Sequence, residues 1–234
     1  MINMNKTIFV TGASGGIGGA VALLFQKNGW NVHVFLRSLD KEETKGLIAL
    51  PHVFAHKSNP EYKDEMVVAF SELAKKDIIP SIVFHSAGTF LWDDGYPGPK
   101  LPFDEVKDML FRSNVQTKVS TVEALREVYH AHLLGIQQFF VGSHASSFAP
   151  DGPERTGKYT EEAYVEPMQK VAQYGKTLTE EKQWGDITVL EPGLIDTHMA
   201  RKAFTLERIG REPDWAHAPS PESYADTIFP SIFF

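Results

Sequence analysis

The stretch from Thr7 to Leu24 constrains the fold of this chain more than any other part of its sequence. A β-branched, apolar run, Thr7–Thr11, continues directly into the glycine-rich turn Thr11-Gly12-Ala13-Ser14-Gly15-Gly16-Ile17-Gly18. Beyond the turn, apolar residues recur from Ile17 to Leu24 at the spacing of one helix face. A strand that enters a helix through glycines is typical of the first βα unit of a parallel α/β sheet.

Five further apolar runs follow the first, and each is bounded by turn residues. Their near-continuous apolar character is typical of parallel strands that are covered on both faces. Their shortness favours strands over buried helices. The six predicted strands are Thr7–Thr11, Asn31–Leu36, Val53–His56, Ser81–His85, Gln138–Ser143 and Ile187–Glu191.

Helical patterns lie between these runs. Pro60 to Lys75 is predicted to be a helix, with Asn59 as its N-cap and Pro60 at its first position. A longer helix is predicted to begin near Asp104 and to carry Asn114 on its apolar stripe, so we expect the Asn114 amide to be buried and hydrogen-bonded. The predicted fold class is α/β, a doubly wound parallel sheet (Rossmann-like) with helices on both faces, in a single domain over residues 1–234.

Composition argues against several classes of partner. The net charge is −7, from 23 basic and 30 acidic residues, which disfavours nucleic acid. The chain has no cysteine and its nine histidines show no metal-ligand spacing, so we predict no metal. It has neither a secretory leader pattern nor a long apolar stretch, so we predict no membrane partner and a cytoplasmic location.

The glycine-rich turn predicts a phosphate-binding site. Glycine allows a tight turn and lets a phosphate approach the backbone. The N-terminus of the following helix adds free N–H groups and a partial positive charge. We therefore expect the pyrophosphate of a dinucleotide at the turn. The residues expected to bind it are Gly12, Ser14, Gly15, Gly16, Ile17 and Gly18.

The end of the second predicted strand indicates which dinucleotide binds. An acidic residue at this point would bind a ribose 2′-hydroxyl, but the sequence has Leu36-Arg37-Ser38 instead. Arg37 can pair with a 2′-phosphate, and Ser38 can add a hydrogen bond. The expected cofactor is therefore NADP(H) in preference to NAD(H).

Taken in order, several segments resemble the short-chain dehydrogenase/reductase family. The turn at Thr11–Gly18 matches the family's TGxxxGIG fingerprint, and His85-Ser86-Ala87-Gly88 is similar to its NNAG segment. Asn114 falls at the place of a helix asparagine that holds a water in the family's proton relay. Ser143 ends a strand where the family has its catalytic serine. Pro192-Gly193-Leu194-Ile195-Asp196-Thr197 matches the PGxxxT segment that lies beside nicotinamide.

The resemblance covers nearly the whole chain and implies hydride transfer between nicotinamide and the carbonyl or alcohol carbon of a small-molecule substrate. In the family a serine binds the substrate oxygen and a tyrosine moves the proton. A lysine four residues after that tyrosine lowers its pKa and holds the nicotinamide ribose. Beyond the turn, the implied cofactor-binding residues are Arg37, Ser38, Ala87, Gly88, Pro192, Gly193, Ile195 and Thr197.

The family's Tyr-x-x-x-Lys motif is missing from this chain. Tyr159, Tyr164 and Tyr174 are followed four residues later by Ala163, Met168 and Leu178. Tyr174 is the first candidate, because its surroundings resemble those of the tyrosine in the extended branch. Lys170, one turn earlier on the same helix face, would then be the assisting lysine. A rival alignment begins the helix at Pro167, and Tyr164 then supplies the phenol from just before it. Two further alternatives remain open: Tyr159 could be the catalytic tyrosine, or the chain could have none.

Three functions follow from these alternatives. The first is an NADP(H)-dependent oxidoreductase with Ser143, Tyr174, Asn114 and Lys170 as catalytic residues. The second is a catalytically degenerate NADP(H)-binding sensor or scaffold, and the third an extended-branch nucleotide-sugar epimerase or reductase, for which the chain is short. Loops around 147–166 and 194–220 are expected to form the substrate region. The apolar C-terminal end predicts packing against a partner subunit, in a homodimer or homotetramer.

Overall fold

The computed structural model describes residues 6–40, 42–90, 101–147, 159–203 and 213–229. Within these ranges, six strands form one parallel sheet in the order β3-β2-β1-β4-β5-β6. The strands are β1 Thr7–Thr11, β2 Asn31–Leu36, β3 Val53–Lys57, β4 Ile82–His85, β5 Gln137–Val141 and β6 Asp186–Leu190. This order confirms the predicted doubly wound sheet, and the strand order reverses between β1 and β4, where such sheets bind ligands.

Helices connect the strands. They are α1 Gly16–Lys27, α2 Glu42–Ile48, α3 Lys63–Ala74, α4 Phe103–Phe111, α5 Thr117–Tyr129, α6 Tyr159–Glu181, α7 His198–Ala203 and α8 Pro221–Ile228. A π-helical segment, Arg112–Gln116, joins α4 to α5, so residues 103–129 are helical throughout. The long helix predicted to begin near Asp104 is confirmed, and its π-helical segment was not predicted.

Two hydrophobic clusters cover the two faces of the sheet. Alternate residues of β1 divide between them, because successive side chains of a strand point to opposite faces. Phe9 packs with residues of α3, α5 and α6, including Phe70 and Met168, while Val10 packs with residues of α1 and α8. All residues of β1 are buried, which explains its uninterrupted apolar sequence. The prediction of helices on both faces is confirmed.

The predicted start of α3 at Pro60 is wrong. The helix begins at Lys63, and Tyr62 occupies the N-cap position without a side-chain capping bond. Asn59 closes a turn ahead of the helix instead: its Oδ1 accepts a hydrogen bond from Glu61 N at 3.1 Å. Its own backbone N–H donates to Glu65 Oε2 at 2.8 Å. Asn59 therefore stabilises the local turn, a common alternative use of asparagine to helix capping.

The apolar C-terminal end packs on its own chain as far as Phe229. The Phe229 side chain is 1% exposed, and its ring meets the rings of Phe25 and Phe139 edge-on at centroid distances of 4.9 and 5.0 Å. Residues 230–234 lie outside the described residues. At Phe229 the expected contact with a partner subunit is thus replaced by an intramolecular contact with α1 and the sheet.

Truncation of Phe229 is therefore expected to destabilise the monomer fold. Phe229→Ala should lower the free energy of unfolding by about 3 kcal/mol, through lost burial and the cavity left behind. Urea denaturation followed by circular dichroism measures the change. Val68→Ala is the control, since Val68 is 60% exposed and should change stability by less than about 0.5 kcal/mol. Equal, small effects of both substitutions would contradict the packing described for the C-terminal helix.

Candidate active site

The glycine-rich turn lies at the carboxyl edge of the sheet, between β1 and the segment that follows β4. Gly12 has a φ of +76°, and a Cβ at this residue would lie 2.5 Å from the backbone nitrogen of Ala87. A Cβ on Gly18 would lie 2.5 Å from the carbonyl oxygen of Gly12. Only glycine fits at these two positions, so the two chain segments and the first turn of α1 are in direct contact.

The N-terminus of α1 is open to a ligand. Ser14, Gly15 and Gly16 are exposed, the N-cap Gly15 supplies no side-chain capping bond, and the first turn carries no acidic residue. The first backbone N–H groups of a helix have no partners within the helix. Here they face the edge of the sheet where the strand order reverses. This arrangement fits an anionic group such as a pyrophosphate.

Arg37 and Ser38 follow directly after β2, the strand beside β1. The Arg37 side chain is exposed and forms no ion pair within the described parts of the chain. Ser38 Oγ accepts a hydrogen bond from the backbone of Asp40 at 3.3 Å, which shapes the turn after the strand. The guanidinium is therefore free to pair with a ligand phosphate near the glycine-rich turn.

The segment after β4 is fixed by the buried side chain of Asn114, which lies in the π-helical segment. Asn114 Nδ2 donates to the carbonyl oxygens of Thr89 at 2.8 Å and Leu110 at 2.9 Å, and its Oδ1 accepts from Thr89 N at 3.2 Å. Its side-chain oxygen also leaves no room for a Cβ on Gly88. The expected burial and hydrogen bonding of Asn114 are confirmed. Its amide holds residues 88 and 89 in place.

Ser143 lies just beyond β5, and the structure pairs it with Tyr164 of α6. The Tyr164 hydroxyl is hydrogen-bonded to Ser143, and its ring packs edge-on against Phe90 at a centroid distance of 4.9 Å. Burial raises the pKa of Tyr164 to about 12, although the bond with Ser143 acts in the opposite direction. A serine and a tyrosine hydroxyl thus meet at the carboxyl edge of the sheet.

The segment Pro192–Thr197 brings a second set of predicted residues to the same edge. The Pro192 carbonyl accepts a hydrogen bond from His144 N at 3.0 Å, which places the segment beside the residues that follow β5. Thr197 is buried, and its Cγ2 would lie 3.4 Å from a Cβ on Gly16. Residues that are distant in the sequence therefore meet across one cleft: the glycine-rich turn, Pro192–Thr197 and the Ser143–Tyr164 pair.

Known structures share this arrangement of elements. No family model and no curated protein matches the chain by sequence. A short-chain dehydrogenase/reductase from Vibrio parahaemolyticus is 21% identical, with a TM-score of 0.70 over 96% of this chain and 89% of that one. The chain has the short-chain dehydrogenase/reductase fold.

Two further structures with this fold carry nicotinamide cofactors. An alcohol dehydrogenase from the archaeon Thermococcus sibiricus, complexed with 5-hydroxy-NADP, is 19% identical, with a TM-score of 0.69 over 95% of this chain and 88% of that one. A serine dehydrogenase in its closed form with NADP+ is 18% identical, with a TM-score of 0.75 over 95% of this chain and 87% of that one. At these identities the likeness concerns the fold, so the chemistry must be argued from this chain's own residues.

Tyr174, the first candidate from the sequence for the catalytic tyrosine, does not lie beside Ser143 in the structure. Its ring stacks on Phe140 at a centroid distance of 5.9 Å and belongs to the hydrophobic cluster beneath α6. Burial raises its pKa, and the charges of Glu123 and Glu181 raise it further. Tyr174 follows Tyr164 by ten residues, a distance of about 15 Å along a helix. It therefore packs against the middle of the sheet.

The position of Tyr164 depends on where α6 begins. The rival alignment started this helix at Pro167, but α6 runs from Tyr159 and contains Pro167 in its interior. The additional turns carry Tyr164 to the carboxyl end of β5, so part of the predicted 147–166 loop is helical. Residues 148–158 and 204–212, both within the predicted substrate region, lie outside the described residues, as does the side chain of Tyr159.

Lys170 also lies away from the Ser143–Tyr164 pair. Its side chain is exposed, and its charge acts on Glu166, whose pKa is lowered chiefly by its bond with Lys107. Lys107 Nζ lies 2.8 Å from Glu166 Oε2. The residue four positions after Tyr164 is Met168, which is 1% exposed within the core. Helix α6 therefore brings no lysine to the tyrosine in the way that the family motif would.

Sequence reasoning missed one residue near this cleft, Lys118 of α5. It is 2% exposed, and its Nζ donates to the backbone oxygens of Ala87 at 3.1 Å and Asn114 at 2.9 Å. Burial lowers the pKa of Lys118 to about 7. A usable signal was present, because Lys118 follows Asn114 by four residues and so shares its side of the helix.

The structure offers no metal site in the part of the chain that it describes. No group of three or more histidine, aspartate or glutamate side chains is arranged there to hold an ion. Among the described helices, none is long and apolar enough to cross a membrane.

Proposed function

We propose that the chain is an NADP(H)-dependent oxidoreductase that transfers a hydride between nicotinamide and the carbonyl or alcohol carbon of a small molecule. The observation that carries this proposal is the hydrogen-bonded pair Ser143–Tyr164 at the carboxyl edge of the sheet. The open N-terminus of α1 lies at the same edge, as does Thr197 beside Gly16. Two hydroxyl groups at the same edge of the sheet as an open helix N-terminus are suited to binding and protonating one substrate oxygen.

The residues at the cleft fit a phosphorylated dinucleotide. The exposed backbone of Ser14, Gly15 and Gly16 accommodates the pyrophosphate, and Gly12 allows the turn to pack directly on the backbone of the segment that follows β4. The exposed guanidinium of Arg37, which has no ion pair among the described residues, supports a ribose 2′-phosphate, and therefore NADP(H) over NAD(H). Solved structures with the same fold bind NADP+ or a hydroxylated NADP, which favours the same choice. The bound nicotinamide would supply or take up the hydride.

The two hydroxyl groups have separate tasks. Ser143 Oγ binds the substrate oxygen, and the Tyr164 hydroxyl donates its proton to that oxygen as negative charge develops on it. With a pKa of about 12, the phenol is protonated at neutral pH. It is thus ready as an acid for carbonyl reduction. Alcohol oxidation needs the phenolate as base, so its rate should rise as the pH increases toward 12.

Two measurements on the purified protein test the proposal. Calorimetry with NADPH and NADH measures cofactor affinity, and the loss of NADPH absorbance over a panel of aldehydes and ketones measures turnover. Binding of NADPH together with turnover of a carbonyl compound supports the oxidoreductase. The absence of affinity for both coenzymes would overturn it.

A second function, an NADP(H)-binding sensor or scaffold without catalysis, is favoured by one observation. The position of the family lysine is occupied by the buried Met168, so no α6 lysine lowers the pKa of Tyr164. Tight NADPH binding by the wild-type protein, without turnover across the whole panel, would select this function over the enzyme.

Arg37 gives a prediction for the cofactor preference. Arg37→Ala should weaken NADPH binding by about 10- to 100-fold, because a charge-assisted contact with the 2′-phosphate is lost. NADH affinity should stay the same, since NADH lacks that phosphate. Calorimetry on both coenzymes measures the change. Lys27→Ala is the matched control, because Lys27 is an exposed cation at the opposite end of α1. Equal losses for NADPH and NADH would contradict the role of Arg37.

A further inference from the structure

Lys118 is the feature that the proposed function leaves unexplained. Among the described residues, it is the one lysine or arginine whose side chain is seen to be buried. Burial of an ammonium group without an opposite charge is costly, and buried charges in proteins are usually paired. Lys118 has two backbone carbonyl partners and no acidic partner in the described ranges. A purely structural role would be served at lower cost by an apolar side chain.

Among the residues that the structure describes, no acidic side chain compensates the charge of Lys118. The titratable group that senses it is His85 of β4, which is itself buried and hydrogen-bonded to Gln138 at 3.1 Å. The pKa of His85 is lowered to about 3, chiefly by burial and to a smaller extent by the charge of Lys118, while the hydrogen bond with Gln138 acts in the opposite direction. His85 is therefore neutral at neutral pH. Within the described residues, the hydrogen-bond acceptors of the Lys118 amine are the carbonyl oxygens of Ala87 and Asn114.

The two carbonyl partners place the amine at the floor of the cleft. Ala87 lies directly against the glycine-rich turn, because a Cβ on Gly12 would come within 2.5 Å of the Ala87 backbone nitrogen. The Ala87 carbonyl that binds Lys118 therefore belongs to the segment that contacts this turn. Asn114 holds Thr89 by two hydrogen bonds, and the next residue, Phe90, packs on the Tyr164 ring. Lys118 Nζ thus lies on the scaffold that links the dinucleotide turn to Tyr164.

Hydrogen bonds within the described residues use two of the three donor directions of the Lys118 amine. A tetrahedral Nζ has one bond to Cε and three further directions, and the carbonyls of Ala87 and Asn114 occupy two of them. The third can donate to a hydroxyl as an ammonium or accept from one as a neutral amine. The other candidate lysines near α6 are engaged elsewhere or exposed: Lys107 pairs with Glu166, and Lys170 and Lys176 are exposed.

We propose that Lys118, entering from α5, supplies the cation that α6 lacks: its Nζ hydrogen-bonds a hydroxyl of the bound coenzyme and stabilises the ionised Tyr164. This inference rests on the proposed function and assigns it a further residue. During carbonyl reduction the hydride goes to the carbonyl carbon, and the phenol proton of Tyr164 goes to the oxygen. The Lys118 ammonium returns a proton to the phenolate and regains one from solvent, so charge and protons balance.

Substitution of Lys118 by methionine tests this role with little change in side-chain volume. Lys118→Met is expected to lower kcat by about 100-fold or more, as for loss of a group that assists proton transfer. NADPH affinity should fall by about tenfold, as for loss of one charged hydrogen bond. Lys176→Met is the matched control, because Lys176 is exposed on α6 and lies 4.0 Å from Glu180. Retention of both kcat and affinity in folded Lys118→Met would overturn the proposal.

A measurement on the wild-type protein decides the question if Lys118→Met does not fold. In protein labelled with ¹³C at lysine Cε, NMR should show one lysine that titrates near neutral pH, whereas exposed lysines titrate near their ordinary values. Addition of NADPH should shift this signal more than those of the exposed lysines. A signal that does not respond to NADPH, in protein that binds NADPH and turns over a carbonyl compound, would overturn the role of Lys118 and leave the proposed function standing. Failure of wild-type protein to bind either coenzyme would instead remove the proposed function itself.

Discussion

Tyr164→Phe is expected to lower turnover of a carbonyl substrate by about 10²- to 10⁴-fold, the range for loss of a general acid. The substitution removes only the hydroxyl that meets Ser143, and the ring keeps its edge-on contact with Phe90. NADPH affinity should therefore change by less than about threefold, because the loss concerns the transition state and not the ground state. Steady-state kinetics by NADPH absorbance and calorimetry measure the two quantities.

Tyr174→Phe provides the matched comparison on the same helix. The Tyr174 ring stacks on Phe140 within the core, and phenylalanine preserves that packing. The structure therefore predicts a change in kcat of less than about threefold, whereas the sequence-based assignment of the catalytic tyrosine predicts the large loss here. A large loss in Tyr174→Phe together with normal activity in Tyr164→Phe would show that the Ser143–Tyr164 pair is not the catalytic one.

Gly12→Ala is expected to have the largest effect on the cofactor site. The new Cβ would lie 2.5 Å from backbone nitrogen and 2.6 Å from backbone carbon of the segment after β4, at a φ of +76°. Overpacking against backbone and a left-handed conformation together should lower the free energy of unfolding by about 2–5 kcal/mol. NADPH affinity should fall by about tenfold or more, because relief of the clash shifts the turn that faces the pyrophosphate.

The control for Gly12→Ala is a glycine with free space around it. Gly46 lies in α2, and a Cβ there would have no neighbour within 4 Å. Gly46→Ala should leave NADPH binding unchanged and increase the free energy of unfolding by up to about 1 kcal/mol, through higher helix propensity. Urea denaturation and calorimetry compare the two variants. Normal cofactor binding in Gly12→Ala would contradict the close contact between the turn and Ala87.

The sequence predicted the sheet and the glycine-rich turn well because each produces a recognisable pattern of residues close together in the chain. Short apolar runs identify parallel strands wherever helices cover both faces, and the six predicted strands match the observed ones to within two residues. The prediction that α3 begins at Pro60 was wrong, and the reason is also local. Asparagine and proline before a helix fit an N-cap, but Asn59 uses its side chain for the preceding turn.

The candidate catalytic pair depended on information that no local pattern contains. With no Tyr-x-x-x-Lys in the chain, the sequence favoured Tyr174 over Tyr164 and Tyr159, and the choice depended on the length and placement of one helix. The structure starts α6 at Tyr159, which brings Tyr164 to Ser143 and turns Tyr174 onto Phe140. A shift of helix start by two turns moves a side chain by about 10 Å along the sheet, enough to exchange an active-site residue for a core residue.

The sequence by itself determined the order of strands and helices and the glycines of the turn between β1 and α1, because hydrophobic periodicity and backbone sterics act between residues close in the chain. Only the tertiary structure decided which hydroxyl meets Ser143 and that the buried amine beside Asn114 comes from α5. Those contacts join elements far apart in the sequence. They are set by how helices pack on the sheet, so residues of the right type can reach one site from different elements.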